Sequence, residues 1–413
     1  MPFFFNFRYN KPIFLFIVLY FSLLIGFFFG EDSTGGAFLD YKNQKKIAIA
    51  FANDFFKTFI NFDNFNTRHS PALIIYLSLF EKFNINDTII RILHLNIAPL
   101  CCFAFYKCLK LKYEKINNEP LLIFSLILLL SPTIRSLAIW PDSRIYGLFF
   151  FLISVYFFIK FEKNKKFCNA IYNIIFLSIS SYLSPNFSIF SAYFFLNYFL
   201  YYKFSMNLAK IIILNIALAL PAFYYLFVLD IFFLKVTAIS NVETIQRINP
   251  FNKIILISSI FFFYFLPFLF FFKKENFFKD VFNIQNIFIT TIILLVSIIY
   301  FSYETRYTGG GFFFHLSQKI FSNNNLLFFV TFFSILFLIF ISKKDYKNLI
   351  LIFIIFLGNP QLSIYNKYYD PLVLILLLLL FNLNIDTNRI FKLKNTSIFY
   401  TFYFSFLLIS LFK

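Results

Sequence analysis

The 413-residue chain is 60% hydrophobic and only 14% charged, against roughly 25% charged in an ordinary globular protein, and its mean hydropathy is +0.76. Repeated apolar runs of about 18 residues or more exceed what one globular core can bury, so lipid must solvate much of the chain; a soluble enzyme, a nucleic-acid-binding domain and a disulfide scaffold are excluded. The net charge of +18 therefore has to be read by position before any partner is inferred.

In chain order, Arg8 and Lys11 precede an apolar run over residues 12–29. It has the outline of a signal peptide, but no small-x-small cleavage site comes before Glu31, so a retained first span with a cytoplasmic N-terminus is expected. Residues 30–87 then form a long first outer loop. Within it the stretch 40–59 sets Ile47, Ala50, Phe51, Phe55 and Phe59 near helical spacing, with Lys45, Lys46, Asp54 and Lys57 off that stripe, which predicts an amphipathic helix on the outer membrane surface. Residues 70–83 contain Glu81 and Lys82. This run of about 14 residues is too short to cross about 30 Å of hydrocarbon and is expected at the interface.

A span over 88–106 follows, and from there short basic segments recur at 107–118, 160–167, 203–210, 273–280, 343–348 and 389–395. With the N-terminus these hold more than half of the 37 Lys and Arg. If all are cytoplasmic, each successive pair encloses an even number of spans. The apolar runs at 119–139, 144–161, 168–184, 187–202, 211–229, 254–272, 284–301, 325–342, 346–358 and 368–382 satisfy that parity, and a last span at 396–412 leaves the C-terminus outside. The expectation is one all-α polytopic membrane domain over 1–413 with about 13 transmembrane helices (12 to 14). It divides into the loop 30–87, a core module over 88–202 and C-terminal helices over 203–413 with outer loops at 230–253, 302–324 and 358–370.

The positive-inside rule accounts for the basic excess, so no nucleic-acid partner is invoked. The outer side collects a mixed set of charges: Glu31, Asp32, Asp40, Asp54, Asp63, Arg68, His69, Asp142, Arg144, Glu243, Arg247, Glu304, Arg306, Lys367 and Asp370. The 73 Phe beside a single Trp read as AT-rich coding bias under a bilayer's demand for apolar side chains. The cysteines form no C-x-x-C pair and the three His are far apart, so neither a zinc site nor a disulfide framework is indicated.

A first span, Asp40-Tyr41, an amphipathic stretch, a His-x-Pro element in RHSPALIIYLSLFEKF, an Asn-Asp turn and Arg in INDTIIRILHL, and the basic loop YKCLKLKYEK follow one another. That order resembles the amino-terminal half of GT-C glycosyltransferases, the group that includes protein O-mannosyltransferases, aminoarabinose transferases and bacterial oligosaccharyltransferases. The runs SPTIRSLAIWPDSRIYGLFFFLISVYFF and NPQLSIYNKYYDPLVLILLLL fit it too, and the likeness covers residues 1–200 in order and 355–382 more loosely. The resemblance implies transfer of a sugar from a polyprenyl-phosphate donor, usually with inversion, to a lipid, glycan or protein acceptor. The protein would lie in the bacterial inner membrane with its active site on the periplasmic face.

Such a reaction needs a carboxylate for the acceptor proton and cations to steady the leaving phosphate. Asp40 matches the family's first-loop acid by the aromatic residue after it, while Glu31 and Asp32 match its adjacent pair, so all three stand as catalytic candidates. The substrate-binding set is Arg68, His69, Arg135, Asp142, Arg144, Arg306, Lys367 and Tyr368, with Arg135, Arg306 and Lys367 near the outer edge for the phosphate. The resemblance fixes no cofactor, and some members hold a divalent metal on a second-loop acid, for which Asp142 is the candidate; it equally suits a helix cap. The rival class is a transporter or flippase of a lipid-linked saccharide. Nine Gly and charges gathered at span ends favour the enzyme over it.

Overall fold

The computed structural model describes residues 11–65, 67, 69–228, 249–272, 277–304, 309–359 and 363–412. Among them the only extended pairing is an isolated bridge between Phe272 and Ile385, and all other regular structure is helical. Six helices are long and apolar enough to cross a membrane, or seven when one bent pair counts as a span. The chain is a polytopic all-helical protein.

Helix α1 (Lys11–Phe28) leads into the first loop, which folds as α2 (Ala37–Asn53), α3 (Phe55–Ile60) and α4 (Pro71–Lys82). Ala37, Tyr41, Gln44, Ile47, Ala48 and Phe51 are the buried face of α2, at the i, i+3, i+4 spacing of one helix side, and that helix packs against α4. The predicted stripe shares Ile47 and Phe51 with this face and then fails. The chain breaks at Asp54, whose carboxylate accepts from Lys57 N at 3.0 Å and caps α3, and Phe55 beyond it is exposed.

Helices α5 (Asp87–Leu95) and α6 (Ile97–Lys112) make one 26-residue span. The expected continuous span over 119–139 is instead broken: α7 (Asn118–Ser125) passes through a 3-10 segment, and the chain bends by 65° into α8 (Pro132–Ile139). The break is written in the residues. Pro132 disfavours helix at Ser131 and itself suits a first helical position, while Ser131 Oγ accepts from Ile134 N at 3.1 Å to cap the new helix.

Then come α9 (Ser143–Asn164), α10 (Phe167–Leu183), α11 (Phe190–Tyr202) and α12 (Met206–Phe223). Because lipid is as apolar as Leu, small and polar residues rather than aliphatic burial hold such helices together. Ser180 Oγ donates to Gly147 O at 2.7 Å, and a Cβ on Gly147 would lie 2.7 Å from Ser184 Cβ, so glycine is what lets α9 and α10 approach. Deeper in, Asn173 Nδ2 donates to Ser154 O at 2.9 Å and accepts from Tyr198 on its Oδ1 at 2.9 Å.

The carboxyl-terminal half contains α13 (Pro250–Phe265), α14 (Phe277–Val281), α15 (Ile284–Ile299), α16 (Gly311–Phe321), α17 (Asn325–Ser342), α18 (Tyr346–Leu357), α19 (Leu372–Leu379), α20 (Thr387–Ile390) and α21 (Leu393–Leu411). The span through α13 is 72% buried and forms the centre of this half, whereas the one through α12 is 11% buried and faces outward. Two expectations change. The loop expected over 302–324 contains α16, and the span expected over 368–382 is the eight-residue α19. Most of the expected loop 230–253, with Glu243 and Arg247, lies outside the described residues.

Four of the basic segments meet at one end of the bundle. Lys163 pairs with Glu114 at 2.7 Å and Lys347 with Glu162 at 3.3 Å, Lys112 donates to Leu379 O at 3.0 Å, and the Phe391 ring packs at a tilt against that of Tyr113, centroids 5.2 Å apart. At 1.5 Å per residue, α9 carries the chain about 30 Å from this end to Arg144, where the candidate site begins.

Candidate functional site

Asp40 lies in the first turn of α2, and basic side chains from three other parts of the chain converge on it. Lys367 Nζ donates to Oδ2 at 3.0 Å and Arg144 Nη2 to the same oxygen at 3.3 Å, while His69 Nε2 stands 3.6 Å from Oδ1. Each partner is set by local structure. His69 sits just before Ser70, whose hydroxyl caps α4 and donates to Tyr182 O. Arg144 is held in the first turn of α9 by Asp142, which accepts from its backbone N at 2.8 Å, its Nε at 3.0 Å and its Nη2 at 2.8 Å. The Tyr368 ring lies 5.2 Å from the guanidinium.

Lys367 is on the last loop, and Gly309 fixes the backbone of that loop. Gly310 N donates to Ile364 O at 2.8 Å, and Gly309, at φ +105°, would place a Cβ 2.4 Å from the same oxygen. Any larger residue there would push the loop away.

Burial pushes the Asp40 carboxyl up, but the approach of His69 and the charges of Lys367 and Arg144 outweigh it and hold it well below the usual carboxylate range. Asp142 is likewise held low, Arg144 outweighing its complete burial. Asp370, on the same loop as Lys367, behaves oppositely. Burial pushes it up to about 6, against the hydrogen bonds of Ser131 and Thr133. Its Oδ2 accepts from Ser131 Oγ at 2.7 Å and Thr133 N at 3.0 Å, and its Oδ1 is buried without a partner.

Two cavities adjoin this cluster. The smaller, about 50 Å³, is walled by Thr133, Arg144, Ser184, Lys367, Tyr368 and Asp370 among others. The larger is an apolar groove of about 620 Å³ between α4, α10 and α12, lined by Pro71, Ile75, Leu177, Tyr182, Leu218 and Leu226 among others. The turn at 184–188 separates them, with Ser184, Asn186 and Phe187 on the small cavity and Pro185 and Ser188 on the groove.

No protein family, curated protein or solved structure matches the chain.

The structure brings together Asp40, His69, Asp142, Arg144, Lys367 and Tyr368 from the sequence-derived set. It puts Glu31, Asp32 and Arg135 in a separate network. Arg135 donates to Glu31 through Nε at 2.8 Å and Nη2 at 2.6 Å, with both side chains about 5% exposed or less, and a Cβ on Gly26 would fall 2.2 Å from Glu31 Oε2. Asp32 accepts from Gly36, Ala37 and Phe38 N at 2.9, 3.2 and 3.2 Å and from Ser136 Oγ at 2.8 Å. Both acids dock the first loop onto α8.

Arg68 and Arg306 lie outside the described residues. Asp142, the candidate metal ligand, has both oxygens on Arg144, and among the described residues no three His, Cys, Asp or Glu side chains group closely enough to hold an ion. Among the described residues the donors present do not fit a metal. Asp370 appears in the sequence only as one outer charge among many. Its signal is a lone acid directly before the apolar run PLVLILLLL, with no cation adjacent after it.

Proposed function

We propose that the protein is a GT-C-type membrane glycosyltransferase that moves a sugar from a polyprenyl-phosphate donor to an acceptor hydroxyl or amine. It works at the outer, periplasmic face of a bacterial inner membrane, with 13 spans, the N-terminus inside and the C-terminus outside. One observation carries the reading: a charged cluster whose two cations, Arg144 and Lys367, stand on the wall of a small and otherwise mainly apolar cavity, one turn of chain away from a large apolar groove. A polyprenyl phosphate has the same division into a charged head and a long apolar tail.

In this reading Lys367 and Arg144 leave Asp40 for the donor's phosphate and stabilise the negative charge that grows on it as the sugar departs. Asp40 positions these cations before the donor arrives. The acceptor's proton needs a carboxylate, and the site has two outside the Asp142 clamp, Asp40 and Asp370.

The test is transfer by purified protein in vesicles carrying a panel of polyprenyl-phosphate sugars. A charge-assisted hydrogen bond to phosphate is worth about 1.5–3 kcal/mol, so Lys367→Met should raise the donor concentration needed about 10- to 150-fold. Cleavage of no donor, with lipid-linked saccharide appearing instead on the opposite leaflet, would replace transfer by transport. A reporter active only in the cytoplasm should give signal after residue 115 and none after residue 60.

A further inference from the structure

Asp40 has the wrong surroundings for a proton acceptor. Its two oxygens face three potential cations, and it is held far below the usual carboxylate range, whereas a general base works best with a pKa near the operating pH. Asp370 has the opposite set of properties. It is 2% exposed, it lies on the wall of the 50 Å³ cavity, and one of its oxygens accepts no hydrogen bond. A buried polar atom without a partner costs about 1–3 kcal/mol, and an unpartnered oxygen on a residue that walls a cavity is what a binding site presents before its ligand arrives.

We propose that Asp370, on the last loop, is the group that takes the acceptor's proton. The inference rests on the transferase reading above and names the residue within that site. The acceptor oxygen or nitrogen forms the new bond to the anomeric carbon as the bond from that carbon to the phosphate oxygen breaks. The bonding pair leaves on the phosphate, and the acceptor's proton passes to Asp370. Ser131 Oγ and Thr133 N, at the start of α8, hold the other carboxylate oxygen and favour its ionised form.

A cavity of about 50 Å³ has room for a few water-sized groups and none for a sugar ring. Only the reacting hydroxymethyl or amino group of the acceptor therefore enters. The charged groups sharing this wall are Arg144 and Lys367, both paired to carboxylates. Tyr368 shares the wall as well, and Tyr264 of α13 and Tyr403 of α21 lie within electrostatic reach of Asp370.

The experiment measures transfer against pH in vesicles for the native protein, Asp370→Asn, Ser131→Ala and Asp40→Asn. The native rate should fall tenfold per pH unit below about 6, where Asp370 takes up its proton. Asp370→Asn should lower transfer about 10²- to 10⁴-fold and abolish that limb. Ser131→Ala, which removes a donor to the ionised carboxylate, should move the limb to higher pH. Asp40→Asn should lower the rate and leave the limb where it is.

A folded Asp370→Asn protein with a native acid limb overturns the proposal, and so does a limb that Ser131→Ala leaves in place. If Asp370→Asn does not fold, the Ser131→Ala shift decides alone. Native protein that transfers no sugar from any donor tells against the transferase reading itself, a result distinct from either of these.

Discussion

The first loop contains two acidic centres within ten residues, and the fold uses them in opposite ways. Glu31 and Asp32 face one buried guanidinium and a row of backbone N–H groups. Their side-chain donors, Arg135 and Ser136, both come from the single helix α8. Asp40 faces side chains from residues 69, 144 and 367 and adjoins residues that wall a cavity. The difference teaches that an acid's role here follows from where its partners come from. Side-chain partners drawn from one helix tie a loop down, while partners gathered from several elements around a space are the arrangement expected of a site.

The comparison breaks first at Glu31. Removing one partner of a buried ion pair strands the other, at about 3–5 kcal/mol, so Glu31→Gln should lower the unfolding midpoint sharply and reduce folded protein in detergent. An unchanged midpoint would show that Arg135 is solvated and the two centres are alike.

Asp40→Asn should do the reverse. The fold survives, because Arg144 keeps Asp142, while displaced cations lower transfer about 10²-fold, the scale of a misplaced reacting group. A large loss of stability with normal specific activity would erase the distinction.

Asp32→Ala removes the acceptor for three N–H groups at the start of α2 and should cost about 1 kcal/mol, as helix caps do, with transfer per folded molecule unchanged.

The smallest effect is in pH. Because Asp40 is held below its ordinary value of 3.8, its charged partnership stabilises the fold above that value and is lost as pH falls below it. The stability gap between native protein and Asp40→Asn, measured by thermal unfolding, should be constant near neutrality and close below about pH 4. A gap that widened in acid would mean that Asp40 is not ionised in the fold.

Much of this was legible in the chain. Composition and run length gave the helical membrane class, and the recurring basic segments pointed to a shared end, four of which meet through Glu114, Glu162, Leu379 and Tyr113. The cations around Asp40 could be named because each stands in a loop flanking an apolar run. The pairing of Glu31 with Arg135, 104 residues away, could not be read, because nothing local distinguishes one acid in a polar loop from its neighbour nine residues on. The bend at Ser131-Pro132 has a local signal in its proline, but the hydropathy of the surrounding residues hides it. Asp370 was missed as a site residue because its burial depends on α8, α13 and α21, none adjacent to it in sequence.

Lys367 and Asp40 stand 327 residues apart, and this separation has a consequence for biogenesis. A chain entering the membrane from its N-terminus presents Asp40 long before the loop that carries Lys367 and Asp370 has been synthesised. A half-made chain therefore lacks both the second cation and the second carboxylate of the site. Under the proposed function the site is complete only when the loop carrying Lys367 and Asp370 docks, so a chain truncated before residue 367 should transfer no sugar.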